Sequence, residues 1–231
     1  MRSAGCAIND YADHKIDGKV ARTKGRPIVS GKVTKKEAIW VFGILTFCAF
    51  LLVLFMNKLT IYLSFAGAAL AASYPFMKRY HFLPQVHLGA AFGWSVPMAY
   101  AAQSNEIPAL AWLLFLATVL WATAYDTMYA MADRDDDIKI GVKSTAILFG
   151  DADRTMIAII QGLLIFTLWM IGSHAEMGVY YYLGVFIAAL FALYQQYLIY
   201  DRDPKMCIDA FLNNNWFGLS VFTGIVLDYM L

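Results

Sequence analysis

Two short segments hold eight of the chain's seventeen acidic side chains, and their spacing is what suggests chemistry. The first, -CAINDYADHKID- (6–17), carries Asn9, Asp10, Asp13 and Asp17. At about 100° per residue these four project at about 0°, 100°, 40° and 80°, one face of a helix. The second, -AYDTMYAMADRDDDIKIGVKST- (124–145), carries Asp126, Asp133 and Asp137 within about 40° of each other, while Asp135 points the other way. An ionised carboxylate inside a bilayer costs about 2.5–3.5 kcal/mol at a helix centre on insertion scales, so two aligned sets imply a compensating cation. Oxygen donors without thiolates or paired histidines favour Mg2+, a hard ion that completes its shell from water and substrate phosphate. Taken alone, -DRDDD- also describes a solvated helix end. Two aligned clusters, each followed by basic residues, favour an anionic substrate bridged to acids through metal.

Candidate basic partners follow each cluster. Lys78 and Arg79 lie beside Tyr74 in -SYPFMKRYHFLPQ-, and Lys143 follows the second cluster. Arg22 and Arg26 lie on a loop with Gly25, Pro27 and Gly31 as turn residues. Arginine offers a bidentate fork to phosphate and lysine a point charge; as bland residues the same side chains anchor helix ends at an interface. Two other metal readings fail. Asp133, Asp135 and Asp137 match an EF-hand's first positions, but Ile138 stands where glycine is needed and Ser144 where glutamate is. The stretch -DGKVAR- echoes a CDP-alcohol phosphotransferase signature, whose three other acids would fall on His14, Lys35 and Ile39.

The elements that must position these groups are membrane helices. Of the 231 residues 60% are hydrophobic and 15% charged, with a mean hydropathy of +0.55, far beyond a soluble domain. A net charge of +1 leaves no basic stripe for nucleic acid. Cys6, Cys48 and Cys207 have neither paired spacing nor a histidine neighbour, which sets aside a disulfide frame and a zinc site. Residues 1–17 hold acids where a cleavable signal needs an apolar core. Seven segments are long and apolar enough to span, or nearly so: 37–56, 59–77, 83–102, 109–131, 154–173, 178–200 and 214–231. The expected architecture is therefore an all-α, multi-pass transmembrane bundle in one domain, 1–231. Loops 14–36 and 133–153 hold most of the charge. If the spans alternate, sixteen Lys and Arg fall on one side and only Lys58 on the other, which places both acidic clusters at the cytoplasmic face. Gly89, Ala90, Ala91 and Gly93 suit close helix packing, or alternatively a tunnel.

The runs -GCAINDYADHKIDGKVARTKGRPIVSG-, -YPFMKRYHFLPQ-, -LGAAFGWSVPMAYAA- and -WATAYDTMYAMADRDDDIKIGVKSTAILFG- resemble the UbiA superfamily of intramembrane prenyltransferases, and the similarity continues to -NNNWFGL- (213–219). It is closest to the ubiquinone-pathway branch of the cell inner membrane. The resemblance implies transfer of a polyprenyl group from polyprenyl diphosphate to the carbon ortho to the hydroxyl of 4-hydroxybenzoate. It implies that Asn9, Asp13, Asp17, Asp133 and Asp137 hold Mg2+, with Asp10 and Asp126 as adjoining candidates, and that the four motif aspartates are catalytic. Tyr74, Lys78, Lys143 and Arg22 would face the diphosphate and Arg79 the aromatic acid. A naphthoate or haem acceptor remains open, as does an ion-coupled transporter, which would carry its acids in mid-span. Family members carry nine helices. The segment -MRSAGCAI- makes at most about 12 Å of helix against a core of about 30 Å. The expectation is thus seven spans and a helical stub, about one and a half N-terminal helices short of the family pattern. That implies a start set at an internal Met or a shortened chain, with an apolar groove where the missing part would pack.

Overall fold

The computed structural model describes residues 1–18, 23 and 25–231 and, apart from the side chains of Arg2, Lys15 and Ile16, their side chains. Among them the chain folds into helices with no strand. The short first segment is helical, α1 (Arg2–Asp17). Helix α2 (Lys35–Val53) opens on a capping box in which Thr34 and Glu37 satisfy each other's end groups. Helix α3 (Lys58–Tyr80) is capped by Asn57, which also donates to the Ala101 carbonyl at 2.5 Å.

The segment expected to span at 83–102 is a pair of ten-residue helices, α4 (Pro84–Gly93) and α5 (Ser95–Ser104), broken at Trp94. Pro97 explains the break, because it has no N–H to donate back into the preceding turn. Helix α6 (Ala109–Ile140) overruns its expected end by nine residues, so the second acidic cluster is helical and not loop; Gly141, at φ +74°, ends it. Then come α7 (Thr145–Phe149), a 3-10 turn (Gly150–Ala152), α8 (Asp153–His174) and α9 (Val179–Leu198). The last expected span likewise starts earlier: α10 (Pro204–Met230) is set by Asp203, whose side chain accepts from Met206 N–H, and by Pro204 in its first turn.

By length and composition five stretches of the described residues suffice to cross a membrane: α2, α3, α6, the α7–α8 run Thr145–His174, and α9. The seven expected segments all fall on helices, but α4–α5 and α10 are outside that set. Large apolar side chains such as Trp40, Phe47, Phe55, Phe186 and Phe222 are exposed. That surface is what acyl chains would cover.

Helices in lipid associate through close packing and a few polar contacts, not through hydrophobic burial. Two glycine pairs show this. A Cβ on Gly89 would lie 2.9 Å from Val119 Cα, and one on Gly93 3.2 Å from the Phe115 ring, so the -LGAAFG- run is where α4 seats against α6. On the other side, a Cβ on Gly184 would lie 2.6 Å from the Ser220 carbonyl and one on Gly224 2.9 Å from that of Tyr180. An amide chain adds polar contacts: Gln161 donates to Gln195 (2.8 Å), Gln195 to Asn213 (3.1 Å) and Gln196 to Gln161 (2.8 Å), tying α8, α9 and α10. Met128, Met131, Ala146, Ile157, Ile199 and Cys207 form a buried cluster, so this cysteine is a packing residue. Gly184→Val should therefore force α9 from α10 and cost about 1–3 kcal/mol. Gly43, with open space around it, should accept alanine without loss when unfolding is followed in detergent.

Candidate active site

Helix α1 presents its acidic face to the end of α3. Asp13 and Asp17 are almost fully buried, at 1% and 4% exposure. Lys78, in the last turn of α3, donates to Asp13 Oδ2 at 2.5 Å. Arg26, on the segment after α1, reaches Asp17 at 2.9 Å and Asp10 at 3.2 Å. Burial pushes the Asp17 carboxyl up from the ordinary carboxylate range, the Arg26 guanidinium pulls it down and the Asp13 charge adds to the rise.

The second acidic cluster arrives along α6. Asp126, Tyr129, Asp133 and Asp137 are spaced three or four residues apart on one face. They line the same cavity as Asn9, Asp13 and Asp17. Tyr74, Pro75 and Lys78 of α3, Pro84 and Gln85 of α4, Thr23, Arg26, and Lys143 with Ser144 after α6 complete a space of about 140 Å³. Lys143 is fixed there twice. Its backbone N–H donates to the Lys78 carbonyl at 2.9 Å and its Nζ to the Tyr80 carbonyl at 3.0 Å.

The structure thus brings together Asn9, Asp13, Asp17, Tyr74, Lys78, Asp126, Asp133, Asp137 and Lys143 around one cavity. Two expected residues stand apart. Asp10 is outside the lining and held by Arg26. Arg79 is outside it too: it donates to the Ala12 carbonyl at 2.6 Å and lies 3.7 Å from Asp13 Oδ1, so it props α1 and does not face the space. Arg22 lies outside the described residues. Asp135 is exposed and Asp136 pairs with Lys139 at 3.3 Å, in keeping with the helical projection.

Among the described residues no three carboxylate, histidine or cysteine side chains stand close enough to form a metal-ligand group. Lys78 and Arg26 occupy the first cluster's charges. One feature nevertheless fits a cation: Asp13 Oδ1 is buried and accepts no hydrogen bond, in a wall whose other acids offer only hard oxygen donors. The donor chemistry fits a divalent metal, although the acids are spread around the cavity.

Several lining residues are absent from the set expected from the sequence. Tyr129 precedes Asp133 by four residues and was legible in principle from helix spacing. Gln85 is placed by a tertiary contact, its carbonyl oxygen accepting from Thr145 N–H at 3.0 Å, and Ser144 by a local one, its hydroxyl accepting from Ile147 N–H at 3.3 Å as the cap of α7.

A second space, about 530 Å³ and mostly apolar, begins one turn back along α6. Phe92 of α4, Trp121 and Tyr125 of α6, and Phe211, Gly218 and Phe222 of α10 line it. The Phe211 ring lies 5.7 Å from Tyr125 and 5.1 Å from Tyr129, so aromatic faces run from groove to cavity. Trp121 donates to Asn214 at 3.0 Å.

The chain was compared with known proteins. It is 59% identical over 230 residues to the 4-hydroxybenzoate octaprenyltransferase of Hahella chejuensis, covering all of this chain and 77% of that protein. It is 60% identical to the protein of the same name from Nitrosococcus oceani, covering 81% of it. The apo structure of a UbiA homolog from Aeropyrum pernix K1 superposes with a TM-score of 0.87 at 28% identity, over 100% of this chain and 86% of that one. A UbiA homolog from Archaeoglobus fulgidus bound to GPP and Mg2+ shares the fold, with a TM-score of 0.64 at 15% identity over 98% of this chain and 83% of that one. The profile of the UbiA prenyltransferase family matches residues 1–219, and the chain belongs to that family of multi-pass membrane proteins.

Proposed function

We propose that this chain is a Mg2+-dependent aromatic polyprenyltransferase that moves a polyprenyl group from polyprenyl diphosphate to 4-hydroxybenzoate, a step of ubiquinone biosynthesis. The observation that carries the reading is a single cavity at the helix ends. It gathers both acidic clusters with Lys78 and Lys143, and an aromatic groove adjoins it along α6. The names of the relatives from Hahella chejuensis and Nitrosococcus oceani specify the acceptor.

In this reading Asn9, Asp13 and Asp17 hold metal from the α1 side and Asp133 and Asp137 from the α6 side, with Asp126 beneath them. Bound Mg2+ supplies Lewis-acid charge at the diphosphate oxygens, which makes diphosphate a leaving group. Lys78 and Lys143 give point charges to the same oxygens, and Tyr74 a hydroxyl. The isoprenoid tail lies along the Trp121, Tyr125 and Phe211 groove. As the allylic C–O bond breaks, the faces of Tyr125 and Tyr129 attract the cationic carbon, and the apolar walls keep water from it. The ring carbon ortho to the acceptor's hydroxyl forms the new C–C bond, diphosphate departs, and loss of the ring proton restores aromaticity. No nucleophilic Ser or Cys is called for.

The protein is read as one domain of the cell inner membrane, with α4–α5 and α10 completing seven spans. The sixteen-to-one basic bias supports acidic clusters that face the cytoplasm, where diphosphate and a small aromatic acid are dissolved.

Membranes carrying the full chain should convert radiolabelled 4-hydroxybenzoate to a lipid-soluble product with Mg2+, lose the activity with EDTA and regain it on adding Mg2+ back. A product with a naphthoate alone would move the acceptor to a sibling reaction; none with any aromatic acid would sink the reading. Asp133→Asn and Asp137→Asn should each lower turnover by about a hundredfold or more, the scale of losing a preorganised charged group at a reacting centre. Lys78→Met should destabilise the protein by about 1.5–3 kcal/mol, because it leaves the buried Asp13 charge without its donor. Adding Asp13→Asn should recover most of that stability in detergent unfolding without restoring transfer. Additive losses would show that the pair is not coupled.

A further inference from the structure

Arg134 sits inside the second acidic cluster, between Asp133 and Asp135, yet it is not part of the cavity wall. Its guanidinium turns to the other side of α6. There it donates to the Ala146 carbonyl at 2.7 Å, to the Gly150 carbonyl at 3.2 Å and to the carboxylate of Asp153. Asp153 opens α8 and is fully buried. Arg202, between α9 and α10, grips both oxygens of Asp153 from 2.9 to 3.1 Å and donates to the Asp151 carbonyl at 2.8 Å. The Arg154 backbone N–H adds a fourth donor at 2.6 Å.

One buried carboxylate thus ties α6, the 146–152 turn, α8 and the α9–α10 connection. The first of these carries the cavity residues Asp133 and Asp137, and the cavity residues Lys143 and Ser144 come just before the second. Stability alone is a poor account of this cluster. A buried ionic group seldom outperforms an apolar replacement of the same shape. Arg134 Nε is buried with no hydrogen-bond partner, and Arg202 holds a left-handed backbone, φ +56°, which disfavours any residue but glycine. Both features cost free energy. What the cluster secures is the rotation of α6 about its axis, since an arginine anchored on one side fixes where its neighbours point on the other.

From this geometry we propose that Asp153 and Arg202 are positioning residues. Through Arg134 they set the orientation of Asp133 and Asp137, and so the affinity of that wall for a divalent cation with diphosphate. The inference rests on the metal and diphosphate reading above.

Arg202→Gly is the informative variant, because glycine relieves the strained backbone while it removes the grip on Asp153. In the purified full chain, Mn2+ binding is followed by electron paramagnetic resonance with inorganic pyrophosphate present. The half-saturating Mn2+ concentration should rise about tenfold, the scale seen when a residue supporting a metal ligand is lost. The Mg2+ needed for half-maximal transfer should rise in parallel, with KM for the aromatic acid unchanged. Asp153→Asn should act in the same direction, and Arg202→Lys should restore most of the affinity. Unchanged Mn2+ saturation in Arg202→Gly and Asp153→Asn overturns the proposal, whether or not either variant unfolds earlier. If Mn2+ affinity shifts as stated while the unaltered chain transfers no prenyl group, the positioning role stands and the proposed reaction falls.

Discussion

The ion pair between Asp13 and Lys78 is the constraint from which the rest of the site follows. A carboxylate this buried, in a chain this apolar, has to meet a positive charge within a few ångströms or take up a proton. Lys78 meets it, and in doing so fixes the end of α3 against the middle of α1. Arg79 tightens the same junction from outside by holding the Ala12 carbonyl. Lys143 then docks on the backbone of the same α3 turn, which brings the end of α6 into place. Charge neutralisation therefore assembles the cavity: Lys78, Arg79 and Lys143 each satisfy an acid or a carbonyl on another element and so join it to their own.

The pitch of α6 supplies the other half. Side chains three and four residues apart share a face, so Trp121, Tyr125, Tyr129, Asp133 and Asp137 form one stripe that begins aromatic and ends acidic. A polyprenyl diphosphate has the same division along its length, an apolar tail and a charged head. The stripe needs a smooth surface to lie against, and the glycines of α4 and α10 provide it. Gly89 and Gly93 let α4 approach α6, and Gly218 leaves room for the Trp121 ring, where a Cβ would lie 2.6 Å from its edge.

Much of this was legible in the sequence, for identifiable reasons. Helical projection alone grouped Asp13 with Asp17 and Asp133 with Asp137 and turned Asp135 away, because that geometry depends only on the pitch. Apolar runs located the stretches that fold as helices, although the one at 83–102 is two helices and not one. What spacing could not supply was whatever depends on a distant neighbour. Arg79 follows Lys78 directly, yet one helical step of about 100° turns it out of the cavity. The cut at Trp94 depended on Pro97, in a segment read as one span. The extension of α6 through -DRDDDIK- was missed because charge was equated with loop; Arg134, anchored to the 146–152 turn, keeps that stretch helical. Gln85 and Asp153 gave no local signal at all, since each gains its place only when remote elements meet.

The metal question turns on the same balance of charges. In the structure as it stands, the acids of α1 are neutralised by Lys78 and Arg26 and do not converge with those of α6 on one point. In the proposed reaction an anionic head group entering between them would offer these cations a second partner, and a divalent ion would offer the carboxylates one. Exchange of partners leaves every buried charge compensated, where removal of any one group would not. Asp13 is suited to that exchange: one oxygen is committed to Lys78, while the other is buried, accepts no hydrogen bond and has Arg79 at 3.7 Å as its nearest counter-charge. Such an oxygen carries a desolvation cost in the unliganded protein. Coordination to a metal would remove that cost, and the incomplete bonding of the resting site thereby becomes part of the free energy with which it binds.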